Sequence, residues 1–467
     1  MNFFGRRIIM TSCLPKCLQP ENYCGDTLND NTVRDEVNKA LNIHRLNANE
    51  CNQLEMIFRG NQEILKRSSV DRIVNNKVVI NYAQAFTRDI IGYTFSNGVN
   101  YVATQDKDMA EVQKLNQMMK CENKQVFDLT KNETQSIMGT SYLSIFPDFS
   151  EKNEVPFEIS EISPTDAFVA YSTLNRTVPV YSWNVYKIRN KTENLFIHQV
   201  FTRSHKWFFK SKSRYYLDRD YYETKDHILK DVPIIEFPNN QYRLGDWECA
   251  ISIFNAINNL ASDSINDVEQ TVKSYLALFG VELDEVALKD MKKHRIMSFR
   301  GTAGINQDAK FITAQIDGSS AQLLRSYLEQ ALKVVVGIPD RDVGQTGSDT
   351  GTSAYTRTGS GDMEIIANNK TIYTSMSERR LIRIALNILQ PQYISESLTV
   401  RDIDISIPRN KLTDIVSKTQ AGSTAYAMGM AKTDVLKIMD ITNDIIGMTQ
   451  RWNESEKQMP KESAALQ

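Results

Sequence analysis

Two amphipathic segments, separated by a compact excursion and closed by a glycine-bearing polar loop, constrain this chain more than any other feature. From Asp246 to Thr271 the residues Trp247, Ile251, Phe254, Ile257, Ala261, Ile265, Val268 and then Val272 recur at steps of three and four. That spacing predicts a helix with one apolar stripe, its other faces filled by Asn, Asp and Ser. Ser319 to Val336 repeats the pattern with Leu324, Tyr327, Leu328, Ala331 and Val335, and Ser319 or Ser320 is placed to cap it. Gly337 and Pro339 form a stop signal. The run from Gly337 to Ser353 then holds four glycines and almost no apolar anchor. Such a segment cannot pack into a core, so it is expected to be mobile or held by a partner.

A chain of 467 residues is too long for one core and predicts two to four domains. With 41% hydrophobic and 24% charged residues it reads as a soluble globular protein. It has no apolar run of about 18 residues, so neither a transmembrane helix nor a membrane partner is expected. The apolar run within Met1–Met10 is too short for a secretory signal. Of six cysteines, Cys13, Cys17 and Cys24 cluster near the start, but His44 and Cys51 supply no matching second ligand pair. Free thiols are the expectation, with no metal and no cofactor. The five histidines are scattered, and His198, on an alternating pattern, reads as a half-exposed strand residue. The formal charge of −2 bears on nucleic acid. A protein that grips a duplex neutralises several phosphates and is usually basic. This chain either never meets nucleic acid or meets it without holding it.

Residues 1–50 are polar and Asn-rich, ending in a weak helical pattern (Val33, Val37, Leu41), and read as an arm that docks only where a neighbour supplies a surface. Helices are predicted over Asn81–Ile91, ended by Gly92, over Met109–Cys121, and over Lys124–Met138, stopped by Gly139. A strand is predicted over Val99–Val102. Between Ser141 and Phe237 the pattern changes to short, aromatic, period-two runs: 142–146, 167–171, 178–186, 195–201 and 206–210. These predict an antiparallel sheet. Their Tyr and Trp content could make a base-stacking platform, but aromatic cross-strand pairing is the more economical reading. Beyond the loop, Ala354–Leu389 is a long helical pattern carrying Gly359 and Gly361, each costing about 1 kcal/mol relative to Ala, so a kink is expected there. Asp402–Ile407 alternates as a strand. Leu412–Trp452 is helical, with a break expected at 421–424 and a restart at Thr433, and the last fifteen residues are expected to be disordered.

Two loop signals invite enzymatic readings. Asp349-Thr350-Gly351 matches the loop of aspartic proteases, whose chemistry needs two carboxylates sharing a proton on rigid turns. Here no strand precedes the aspartate and no second such tripeptide exists, so only a symmetric dimer could complete that site. A Walker A loop requires Gly-Lys-[Ser/Thr], and the chain has no Gly-Lys pair. Lys289, Lys292, Lys293, His294, Arg295 and Arg300 form a basic cluster at the tip of the excursion, either a solvated face or a docking rim.

In order and spacing these segments resemble the tailed-bacteriophage portal proteins of siphophages of Gram-positive hosts. The likeness is carried by Asn75-Asn-Lys-Val-Val-Ile-Asn81 with Ile91-Gly-Tyr93 and Val99, and by Val232-Pro-Ile-Ile-Glu-Phe-Pro-Asn-Asn240 leading to Asp246-Trp-Glu248 and Ser262-Asp263. Val336-Gly-Ile-Pro339 with its polar loop, and Asp404-Ile-Ser-Ile-Pro-Arg-Asn410, complete it. The resemblance implies an α+β, mainly helical portal fold. Its parts would be an N-terminal arm (1–50), a wing of helices and antiparallel sheet (51–245 and 354–411) and a two-helix stem (246–271 and 318–338). A small α/β clip (272–317), a tunnel loop (339–353), a helical crown (412–452) and a tail (453–467) would complete it. It also implies a non-enzymatic ring, usually of twelve subunits, at one capsid vertex of the virion, assembled in the host cytoplasm. Double-stranded DNA would pass through that ring during packaging and ejection. Implied partners are terminase, then head–tail connector proteins, with major capsid and scaffolding proteins. The clip residues Lys289, Lys292, Lys293, Arg295 and Arg300 would dock partners. The tunnel-loop residues Arg341, Gly344, Gln345, Thr346, Ser348 and Asp349 would line the channel.

A sliding duplex needs contacts that are many, weak and nearly equal. A strongly basic lining would make deep wells, because each neutralised phosphate adds salt-dependent binding. A near-neutral chain whose loop is mostly Gln, Thr and Ser suits passage without capture. The alternatives are an aspartic-protease-like enzyme built on Asp349, and a ring connector that is not a portal.

Overall fold

In chain order the elements are α1 (Val33–Phe58), α2 (Tyr82–Thr94), β1 (Asn100–Ala103), α3 (Met109–Cys121), α4 (Lys124–Met138), β2 (Thr140–Pro147), β3 (Phe157–Ile162), β4 (Ala167–Tyr171), β5 (Pro179–Arg189), β6 (Asn194–Phe201), β7 (His205–Ser211), β8 (Tyr222–Asp226), β9 (Ile234–Pro238), α5 (Ile251–Val272), β10 (Tyr275–Phe279), β11 (Asp308–Ile312), α6 (Gly318–Val336), α7 (Ser360–Leu389), β12 (Ile403–Ser406), α8 (Ile415–Ala427), α9 (Lys432–Met439) and α10 (Ile445–Gln458). The structure is a computed structural model and describes residues 32–68, 75–149, 154–172, 178–189, 194–218, 222–272, 275–279, 308–312, 318–339, 360–390, 392–409, 415–439 and 445–458. The chain divides into two compact units. One comprises Met1–Arg59, Tyr82–Cys249 and Val336–Gln467; the other comprises Gly60–Asn81 and Ala250–Val335.

The first unit is built on two antiparallel sheets, β4-β5-β6-β7-β8 and β3-β2-β9. Period-two sequence puts one aromatic row across four strands of the larger sheet, with Phe168 opposite Trp183, Trp183 opposite Val200 and Val200 opposite Trp207. All four are buried, and Phe168 and Trp183 stack with ring centroids 5.2 Å apart. They are a core, not a platform open to bases. Onto this core α1 lays Val33, Val37 and Leu41. The heptad-like spacing runs on through His44, Ala48, Cys51 and Leu54, so the expected boundary at residue 50 falls inside one helix. For residues 33–41 of the expected arm, the surface that a neighbour was to supply is the chain's own sheet.

A second core joins β2, β3 and β9 to α3, the C-terminal half of α7 and the two-stranded sheet β1–β12. His198 corrects another expectation, being fully buried rather than half-exposed. The Trp183 indole Nε1–H donates to its Nδ1 at 3.2 Å, and its Nε2 lies 3.0 Å from the Ser213 carbonyl. α2 continues through Gly92 to Thr94, burying Thr94. α8 runs unbroken through the expected break at 421–424, where the Met439 side chain lies against buried Gly422. The break comes instead near Gly429 (φ 89°), and α9 starts at Lys432. α10 extends to Gln458, through part of the expected tail.

The second unit contains α5, the antiparallel ribbon β10–β11, α6 and residues 60–81. α5 starts at Ile251 after a short helical turn (Glu248–Ala250) and is 22 residues, about 33 Å, long. Its stripe is buried at Phe254 and Ile257 but exposed at Ile265 and Val268. Among the described residues no helix is long and apolar enough to cross a membrane.

Candidate functional site

Arg341, Gly344, Gln345, Thr346, Ser348 and Asp349 lie outside the described residues, as do Lys289, Lys292, Lys293, Arg295 and Arg300. The same holds for Cys13, Cys17 and Cys24. What the structure places is the frame that carries them. Gly337 ends α6 with φ 73°, a left-handed conformation suited to glycine, and sits against Ile366 in the second turn of α7. The two ends of the segment 340–359 are therefore held side by side. The basic cluster is framed likewise, because β10 and β11 pair with Phe279 opposite Asp308, so the intervening chain leaves and re-enters at adjacent positions.

α7 is anchored by a seam the sequence reading missed. Its inward positions Met363, Ala367, Lys370, Thr374, Ser377, Leu381, Ile384 and Ile388 step by four and three without interruption, and all are buried. Three successive positions of this stripe, Lys370, Thr374 and Ser377, are polar. The Lys370 ammonium donates to Ser136 Oγ (2.8 Å), Asn239 Oδ1 (2.6 Å) and Asp246 Oδ2 (2.7 Å), and burial pulls its pKa down against the pull of Asp246. Thus α7 is tied both to the end of α4 and to the residues leading into α5. That crossing needs close backbone approach. Gly139 caps α4 with φ 78°, and a Cβ there would overlap the Arg243 carbonyl, while one on Gly245 would crowd the Ile137 carbonyl at 2.6 Å.

Two turns on, Glu378 sits among Lys124 (3.1 Å), Lys131 and the Tyr101 hydroxyl (2.8 Å), with Asp128 bridging Lys124 (2.6 Å) and Lys131 (2.8 Å). Burial alone would raise the Glu378 carboxyl, but Lys124 and Lys131 outweigh it and hold it below the ordinary carboxylate range. Burial, with Glu378 and Asp128 nearby, pushes the Tyr101 phenol well above its ordinary value. Two cations and two carboxylates match, as buried charges must. Beside them Arg243 forks onto Glu236 through Nε (2.6 Å) and Nη2 (2.9 Å), and Ser377 donates to the Glu236 carbonyl at 2.6 Å. These groups are mutually satisfied, so their chemistry is positional: they fix the angle and register of the helix that begins where the polar loop ends. The signal in sequence was the unbroken heptad step, with Lys370, Thr374 and Ser377 on it.

Among the described residues no group of three or more His, Cys, Asp or Glu is disposed to hold a metal. No curated protein sequence matches the chain. Among solved structures, a chain from the virion of a native gene transfer agent particle aligns at 10% identity with a TM-score of 0.46, over 84% of this chain and 94% of that one. A chain from the neck of an empty gene transfer agent particle aligns at 10% identity with a TM-score of 0.47, over 78% and 90%. The family model described as phage portal protein, SPP1 Gp6-like, matches residues 38–462, from the first helix to beyond the last. With that match spanning both sheets and the helices α5 and α6, the chain belongs to the SPP1 Gp6-like family of phage portal proteins.

Proposed function

We propose that this portal protein assembles as a ring at one capsid vertex of a virion, and that double-stranded DNA is packaged and ejected through its axial hole. The supporting observation is the bare face of α6. Leu323 (75% exposed), Tyr327 (67%) and Val334 (75%) stand uncovered on the isolated chain, with Leu324 and Val335 about half exposed. A surface of that kind marks an interaction site. A ring covers it by presenting the same unmet face from every copy to the next. In this reading the chain is a conduit and performs no catalysis.

The segment 340–359 is the compliant lining: Gln345, Thr346, Ser348 and Asp349, with Arg341 and Arg357 the nearby cations, brush phosphates without trapping them. The seam around Lys370 and Glu378 gives that lining a rigid base. The cluster Lys289, Lys292, Lys293, Arg295 and Arg300 forms a rim that docks terminase and afterwards connector proteins, while capsid and scaffolding proteins meet the outer surface. Electron microscopy of the purified protein tests the ring: rotationally averaged particles with an axial hole are expected, and a monodisperse monomer under assembling conditions overturns it. Deleting 344–351 tests the lining. Loss of packaging or DNA retention in rings that still form is expected, and unchanged packaging with unchanged retention ends that part of the proposal.

A further inference from the structure

Residues 75–81 lie against α5 in an arrangement that no ordinary ladder produces. The backbone N–H groups of Asn76, Val78 and Ile80 donate to Asn266 Oδ1 (2.7 Å), Ser262 Oγ (3.0 Å) and Asn258 Oδ1 (2.9 Å). The segment is thus extended and antiparallel to the helix. Two strand residues advance about 6.7 Å and four helix residues about 6.0 Å, so a step of two stays in register with a step of four for about three rungs. The Ser262 hydroxyl gives its own proton to the Asn258 carbonyl at 2.7 Å, which leaves its lone pairs for Val78. Asn76 Nδ2 adds a bond to Glu269 (2.6 Å), and Asn258 Nδ2 one to Gln62. The Asn and Ser stripe of α5, which by sequence alone belongs to a water-facing side, is consumed by the chain itself.

The alternation that aims these three N–H groups at the helix turns those of Lys77 and Val79 the other way. Among the described residues neither of those two backbone groups has a partner. Val78, Val79 and Ile80 are only half-buried. An extended edge with apolar side chains and unpaired N–H groups is what natural proteins cover. The same unit also leaves Ile265 (44% exposed) and Val268 (65%) bare on α5, besides the α6 face. Unmet apolar surface on three elements of one unit is answered most simply by the next copy of the same chain in a closed ring.

We propose that the outward edge of residues 75–81 is completed by an extended segment of a second copy of this chain, added as a strand by backbone pairing. The proposal rests on the ring reading and names one of its subunit contacts. Proline separates the two edges, because it deletes a single N–H and is tolerated in extended chain. Val79→Pro removes an outward donor and leaves all three helix-facing rungs; Val78→Pro removes a rung. At concentrations below assembly, Val79→Pro is expected to unfold in urea like the parent and Val78→Pro earlier. At assembling concentrations Val79→Pro is expected to need about tenfold more protein to form rings, the scale of one or two lost hydrogen bonds. Hydrogen exchange reads the same edge without substitution: on assembly the amides of Lys77 and Val79 slow, while those of Asn76, Val78 and Ile80 are slow in both states. Parent-like assembly of Val79→Pro with unchanged exchange at Val79 overturns the proposal. So does destabilisation of the monomer equal to that of Val78→Pro, which would place the covering strand within the same chain. If the variant forms rings at the same concentration as the parent, the contact fails and the ring stands; if the parent forms none, the ring reading has failed first.

Discussion

Lys370 and the two buried histidines show how much single residues contribute here. Lys370 and Asp246 are both almost fully buried, so removing one charge strands the other. Lys370→Met is expected to destabilise the protein by about 3–5 kcal/mol, and Lys370→Met with Asp246→Asn by less than the two single changes summed. Urea unfolding of the four proteins checks this. His44 packs against both Phe168 and Trp183 with Nε2 3.2 Å from the Thr165 carbonyl, and burial, with Arg214 nearby, brings its pKa to about 4. His198, which also contacts the Trp183 ring, is brought to about 4 mainly by burial, although its bond to Ser213 and nearby Asp218 oppose the shift. Both folded values lie below the ordinary 6.5, so the unfolded chain binds more protons between those limits. Stability is whole above pH 6.5 and is expected to fall by up to about 3 kcal/mol per histidine as pH drops toward 4. His44→Phe, which keeps the ring contacts, is expected to flatten that part of the stability–pH curve; an unchanged slope would mean that His44 does not carry it.

At the scale of elements, crossings rather than helix interiors set the geometry. The approach of 137–139 to 243–245 depends on two glycines, and Gly139 also needs a left-handed φ. Gly139→Ala is expected to cost at least about 1–2 kcal/mol from backbone conformation alone, with the overlap against Arg243 added to it. Gly92→Ala, inside α2 with open space at its Cβ, is expected to be neutral or stabilising by up to about 1 kcal/mol. Thermal unfolding of the pair separates a glycine required by a crossing from one merely tolerated in a helix. α7 behaves as one rod anchored in two ways, by ion pairs over Lys370–Glu378 and by apolar packing over Leu381–Leu389.

For the whole molecule, the question is which surfaces the isolated chain leaves unfinished. On α6, Tyr327→Arg is expected to abolish ring formation while leaving the monomer's unfolding midpoint within about 0.5 kcal/mol of the parent, because an exposed residue contributes little to its own fold. Native mass spectrometry beside urea unfolding checks both halves. Intact rings would show that the bare face of α6 is not a subunit contact.

Local pattern alone determined most of the elements. Strand periodicity located β2 and β4 to β7, helix periodicity located α3 and α4 to the residue, and the order of segments carried the portal resemblance. Each of these is a property of neighbours in sequence, so no partner had to be known. Tertiary structure decided what each polar or apolar face meets. Val33, Val37 and Leu41 form a weak stripe until the aromatic face of the sheet receives them. Lys370 and Glu378 can be buried on α7 only because Asp246, Lys124 and Lys131 arrive from distant parts of the chain. Asn258, Ser262 and Asn266 read as a wet helix face until residues 76–80 bring backbone donors to them. A charge or an amide is costly to bury only without its complement, and that complement comes from residues far away in the sequence.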